Sequence, residues 1–126
     1  MAGALRLGLI GAGRWGRTII KTIDGLADVH LTRLASGNPD SKALVGERCI
    51  ISDDWRTLTS ADDLDGIIIA TPPALHADMA SAAINNAIPV LIEKPLTTDA
   101  TEARALLALA QEKAAIVSFV MECAHP

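Results

Sequence analysis

Aromatic side chains are nearly absent from this chain: they make up 2% of its 126 residues, as two tryptophans, one phenylalanine and no tyrosine. Basic charge is also in short supply, with 11 Lys and Arg against 15 Asp and Glu. Nucleic-acid binding calls for basic patches and stacking rings, so the composition argues against it. Cysteine is limited to Cys49 and Cys123, too few for a disulfide framework or a cysteine-rich metal site. Cys123 and His125 make only a pair at the chain end, and no metal is expected from them. No apolar run reaches the ~18 residues that suggest a membrane span. Residues 4–10 are too few for the apolar core of a secretory signal and carry Arg6 among them. The expectation is a soluble, cytoplasmic chain that engages neither membrane nor nucleic acid.

What is present is apolar surface arranged in alternating patterns. Half of the residues are hydrophobic, and the length suits one domain able to bury roughly two-thirds of its unfolded surface. Leu5, Leu7, Leu9 and Ile10 read as a first strand. Residues 14–25 then place Ile19, Ile20, Ile23 and the following Leu26 at helical spacing. A second strand is predicted over 29–35, with Thr32 and Arg33 interrupting its apolar character. A short helix over 41–48, a brief strand over 49–51 and a helical turn over 53–58 follow. Ile67, Ile68 and Ile69 form a continuous β-branched run, the mark of a strand buried on both faces of a parallel sheet. Pro72 and Pro73 stop that strand and open a helix with Leu75, Met79, Ala82 and Ala83 on its apolar face. Residues 88–92 read as the next strand. Asp99 and Glu102 resemble a capping box for a long helix that buries Ala103, Leu106, Leu107 and Ala110. A last strand is predicted over 116–120. The alternation predicts an α/β fold: a doubly wound parallel sheet of about six strands, of the dinucleotide-binding Rossmann type.

Gly11-Ala12-Gly13-Arg14-Trp15-Gly16 is a G-x-G-x-x-G run between the first strand and the first helix. Gly11 permits the tight turn, Gly13 leaves room for a pyrophosphate, and Gly16 lets helix and strand pack closely. The helix N-terminus, at Arg14, Trp15 and Gly16, offers amide donors and a partial positive charge to the anion. A dinucleotide site of this kind usually has an acidic residue about 20 residues further on, at the end of the second strand. Here that position is Ser36, followed by Gly37 and Asn38, with no carboxylate before Asp40. A Ser hydroxyl and the Gly37 and Asn38 amides suit a 2′-phosphate, with Arg14, Arg33 or Lys42 adding charge. The cofactor expected is NAD(P), with NADP favoured over NAD. Ser36 and Asn38 also suit an ordinary turn.

Three ordered segments carry a family resemblance: the glycine run at 11–16, Ala70-Thr71-Pro72-Pro73-Ala74-Leu75-His76, and Glu93-Lys94-Pro95-Leu96. Together they resemble the signatures of the Gfo/Idh/MocA oxidoreductases. The resemblance implies a nicotinamide cofactor and hydride transfer at CH–OH groups of sugars, inositols or related compounds. Thr71, Pro72 and Pro73 would form a wall of the cofactor cleft, at the strand edge where such sheets bind ligands. His76, in the first turn of the next helix, would face either that cleft or solvent. The resemblance places Glu93 near the nicotinamide ribose and Lys94 beside nicotinamide and substrate, where an ammonium can polarise a hydroxyl or carbonyl. Ser36-Gly37-Asn38 is similar to the segment in members that prefer NADP.

The resemblance also implies a second, α+β domain holding the substrate pocket. Residues 1–120 are expected to be the dinucleotide-binding domain, and 121–126 the start of the crossover to that second domain. On this expectation the chain alone is a truncated half-enzyme, binding cofactor without turnover. An apolar patch around Val117, Phe119 and Met121 would then be open to self-association. Two other readings remain open at this point: a free-standing nucleotide-binding or redox-sensing module, and a Rossmann-like interaction domain.

Overall fold

A computed structural model describes residues 5–93, 101, 104, 108 and 117–120. Lys94 and residues 121–126 lie outside the described residues, as do the side chains of Trp15, Pro73, Glu93, Val117 and Phe119. Six parallel strands form one sheet: β1 (Leu5–Ile10), β2 (Val29–Ala35), β3 (Ile50–Ser52), β4 (Gly66–Ile69), β5 (Val90–Glu93) and β6 (Val117–Val120). Their order across the sheet is β3-β2-β1-β4-β5-β6, the doubly wound arrangement expected from the alternation. The chain reverses its direction of travel across the sheet between β1 and β4, and ligands bind such sheets outside the carboxyl ends at that point.

Helix α1 (Arg14–Asp24) covers one face of the sheet. Its Ile20 and Ile23 pack with Leu9, Leu34 and Ile68. Helices α2 (Arg56–Thr59) and α3 (His76–Asn85) cover the other face. There Leu58, Met79, Ala83 and Ile84 meet Ile10, Ile67, Ile69 and Ile92. The β4 isoleucines thus divide between the two cores, which is why that strand is apolar at every position. Truncating Ile69, fully buried, to Ala would cost about 2–5 kcal/mol.

Several elements differ from the sequence pattern, each for a local reason. The helix expected over 41–48 is a 3₁₀ turn, Pro39–Leu44. Asn38 caps it by accepting from the Asp40 N–H at 3.0 Å, and Gly46 follows too soon for an α-helix to develop. Leu26 lies past the end of α1 and is exposed, as is Leu75 in a 3₁₀ turn before α3. The buried α3 stripe is His76, Met79, Ala80, Ala83 and Ile84, so a histidine holds the place expected of Leu75. β3 sits one residue further along than its apolar letters suggest, and β5 starts two residues later and ends one later. Thr101, Arg104 and Ala108 are helical and exposed; the expected stripe of Ala103, Leu106, Leu107 and Ala110 lies outside the described residues.

β2 carries one irregularity that its sequence hides. Leu7 pairs with Leu31, but Gly8 pairs with Arg33, so Thr32 is an extra residue at a bulge. Before the bulge Val29 and Leu31 face α1; after it Leu34 does. Arg33 is thereby turned to the opposite face, where its guanidinium forks onto Asp63 at 2.9 and 3.0 Å. The buried Thr32 hydroxyl has no hydrogen-bond partner among the described residues. No helix among them is long and apolar enough to cross a membrane.

Candidate functional site

The glycine turn leaves β1 with Gly11 at φ +104°, a conformation L side chains rarely adopt. A Cβ there would lie 2.7 Å from the Ala70 carbonyl oxygen, because β4 runs alongside. A Cβ at Gly16 would lie 2.2 Å from the Gly11 carbonyl oxygen, so α1 folds back onto the turn only if this residue is bare. Gly13 differs: a Cβ there would meet no atom of the described residues within 4 Å, its chain neighbours aside. Packing explains Gly11 and Gly16, whereas Gly13 faces open space. Gly13 is also the N-cap of α1, with no side-chain hydrogen bond to the helix and no acidic residue in the first turn. The first amides of the helix, from Arg14 to Gly16, therefore keep the donor capacity that a cap would use. Arg14 is exposed beside them.

Across from this turn, β2 ends in a loop organised by side chains. The Asn38 N–H donates to Ser36 Oγ at 3.1 Å, and Ser36 Oγ meets Ser41 Oγ at 2.7 Å. Ser41 is fully buried. The Asn38 backbone amide is thus engaged within the loop, which leaves the Asn38 side-chain NH₂ and the Gly37 segment to face a ligand. Gly37 is exposed, with no atom of the described residues within 4 Å of its would-be Cβ. Of the cations proposed for this end, Lys42 lines the adjoining cavity of about 610 Å³ together with Ser36, Gly37 and Asn38. Arg33 does not join it. Its fork holds the Asp63 carboxyl below the usual carboxylate range, and Asp63 in turn raises the guanidinium. Cys49, on the same cavity, is pushed up to about 11 by burial, which makes it a poor nucleophile at neutral pH.

A second, smaller cleft of about 200 Å³ joins the two turns. Gly11, Ser36, Gly37 and Thr71 line it, which brings together three of the sequence-predicted segments. Thr71 follows β4, and its hydroxyl donates to the Met79 sulfur at 3.4 Å. Pro72 is exposed beside it. His76 is absent from the described lining of the small cleft and is 1% exposed. Its Nε2–H donates to the Thr71 carbonyl at 2.6 Å, since a carbonyl can only accept. The ring therefore acts on the strand end from beneath. Glu93 ends β5 at the same edge of the sheet. Lys94, which follows it, lies outside the described residues.

Asp53, Trp55 and Met79 also line the small cleft and were not foreseen. The signal for Asp53 and Trp55 was available in principle, since any turn that follows a strand of a parallel sheet arrives at this edge. Arg56 stacks over the Trp55 ring, 4.5 Å from its centre. The uncapped helix end, the bare Gly13 and the cavity behind Ser36 together fit a pyrophosphate-linked dinucleotide. The larger cavity alone falls within the roughly 300–1,000 Å³ of small-molecule sites.

Comparison with known proteins agrees with this geometry. The family model described as "Oxidoreductase family, NAD-binding Rossmann fold" matches residues 5–120. The chain is 39% identical over 104 residues to inositol 2-dehydrogenase 4 of Saccharopolyspora erythraea, covering 75% of this chain and 29% of that protein. It is 33% identical over 104 residues to an inositol 2-dehydrogenase of Rhizobium meliloti, covering 82% and 32% respectively. A Magnetospirillum magnetotacticum protein of known crystal structure is 50% identical with a TM-score of 0.88, over 93% of this chain and 38% of that one. The chain thus spans about a third of the length of the curated relatives it matches.

Proposed function

The chain belongs to the Gfo/Idh/MocA oxidoreductases as their NAD-binding Rossmann domain, and from that premise we propose that it binds NAD(P), favouring NADP, for hydride transfer at CH–OH groups of inositols, sugars or related compounds. The inositol dehydrogenases among its relatives support the substrate class. We place the protein in the cytoplasm, where such small polar substrates are met. The observation that carries the cofactor reading is Gly13, bare where none of the described residues requires it to be.

The amides of Arg14, Trp15 and Gly16 hold the pyrophosphate at the start of α1. Thr71, Pro72 and Pro73 wall the cleft, and His76 fixes that wall through the Thr71 carbonyl. Ser36, Gly37 and Asn38 receive the adenosine ribose and its 2′-phosphate, with Lys42 as the cation. Glu93 lies toward the nicotinamide ribose. Lys94, on the family resemblance, holds its ammonium against the substrate oxygen and stabilises the developing charge there. The nicotinamide ring, when bound, supplies the hydride acceptor.

Calorimetric titration with NADPH and NADH tests the proposal. NADPH binds at least as tightly as NADH, and Ser36→Asp reverses the order. An Asp at 36 can accept from both the Asn38 N–H and the Ser41 hydroxyl, so the loop keeps its shape. A clear preference of the unmodified chain for NADH would sink the NADP assignment, and no binding of either would sink the cofactor reading.

A further inference from the structure

The position after β2 that commonly holds a ribose-binding carboxylate is a serine here, yet the sheet brings a carboxylate to the same place from the neighbouring strand. Ala35 pairs with Ser52 across β2 and β3. The Ser36 N–H then donates to the Ser52 carbonyl at 2.8 Å. Asp53, the next residue, therefore leaves β3 alongside the Ser36 turn.

The local hydrogen bonds separate Asp53 from its acidic neighbour. Ser52 Oγ accepts from the Asp54 N–H at 3.0 Å and sets the turn. The Asp54 carboxylate accepts from the Arg56 N–H at 3.0 Å and pairs with the Arg56 guanidinium at 3.6 Å. Asp54 is engaged in starting α2. Asp53, held between these two residues, is exposed and lines the cleft. It borders the small cleft beside Gly11 and Thr71 and also the larger cavity that contains Lys42. Ser36, Gly37 and Asp53 are common to both, so Asp53 stands where the two compartments meet.

We propose that Asp53 is a specificity-determining residue for the cofactor, meeting the 2′ position of the adenosine ribose from β3 and opposing Lys42. This rests on the reading that the cleft takes a nicotinamide dinucleotide. A carboxylate accepts hydrogen bonds from ribose hydroxyls and repels a 2′-phosphate, whereas an ammonium attracts the phosphate. With a carboxylate at the junction and an ammonium on the larger cavity, where Glu47 also lines the wall, the site takes both NAD(H) and NADP(H), and Asp53 narrows the preference for NADP(H). The acidic function that is missing from β2 is displaced by one strand, and Ser36 is left free to organise its own turn.

The test is a titration of the chain, of Asp53→Asn and of Lys42→Gln with NADPH and with NADH, at low and high salt. Asp53→Asn raises the NADPH-to-NADH affinity ratio about tenfold, and Lys42→Gln moves the ratio the other way. Added salt shrinks both changes, because the groups are exposed and screened. The ratio is the deciding readout, since a purely structural defect weakens both cofactors together. An unchanged ratio in Asp53→Asn overturns the role of Asp53 while leaving dinucleotide binding intact. Failure of every variant and of the unmodified chain to bind either cofactor overturns both.

Discussion

Two turns face each other at the carboxyl edge of the sheet, and they are built on opposite principles. The turn at 11–16 is shaped by exclusion. Carbonyl oxygens of Ala70 and Gly11 occupy the space where side chains of residues 11 and 16 would begin. The turn at 36–42 is shaped by side chains that bond to their own backbone and to one another, through Ser36, Asn38 and Ser41. A turn made by exclusion needs glycine and tolerates nothing else, so its letters announce it. A turn made by side-chain hydrogen bonds uses Ser, Asn, Pro and Asp, which serve loops of every kind. The chemistry of a ligand must then be read from what the turn leaves unused.

The sharpest way to break this contrast is Gly16→Ala. A Cβ at 2.2 Å from a backbone oxygen cannot be relieved by a rotamer change. We expect a loss of about 3 kcal/mol in denaturant unfolding, together with loss of dinucleotide binding; a loss below 1 kcal/mol would show that the turn is not set by exclusion. Gly13→Val should separate fold from function. Its extended backbone admits a β-branched residue and no atom of the described residues lies within 4 Å of its Cβ, so stability should stay within about 1 kcal/mol. Affinity for NADH and NADPH should fall at least about tenfold as the side chain enters the approach to the helix amides. Unchanged affinity would remove Gly13 from the site. The smallest effect belongs to the second turn. Ser41→Ala takes away the buried partner of Ser36 and should cost about 1 kcal/mol. Both cofactors should weaken by a similar factor, and a change confined to one would mean that Ser41 reports on the ligand as well as on the loop.

The same contrast explains how much was legible beforehand. The sheet was readable because Ile67–Ile69 and the residues around Leu9 and Ile92 must be apolar on two faces at once. The strand order followed from handedness. The glycine turn was readable from steric need. Arg33 was misplaced as a cofactor cation because nothing in its neighbours reveals the bulge that turns it toward Asp63. His76 was placed near a surface because a histidine in a first helical turn is commonly exposed, whereas here its ring nitrogen has a carbonyl to satisfy in the core. Asp53 and Trp55 were missed because their place depends on the pairing of β2 with β3, and β3 is only three residues long.

The bulge at Thr32 has a reach beyond its own pair of strands. A strand assigns its residues to alternate faces, so one inserted residue inverts the parity of everything downstream. In β2 the inversion lets Leu31 and Leu34, an odd number of positions apart, share the core beneath α1. It also decides which way the chain points as it leaves the sheet. Ser36 inherits the inverted parity, and its hydroxyl therefore meets Ser41 in the crossover loop. Thr32 works as a phase shifter: four residues upstream of Ser36, on a residue that need never touch a ligand, it selects the side on which the ribose end of the site is made.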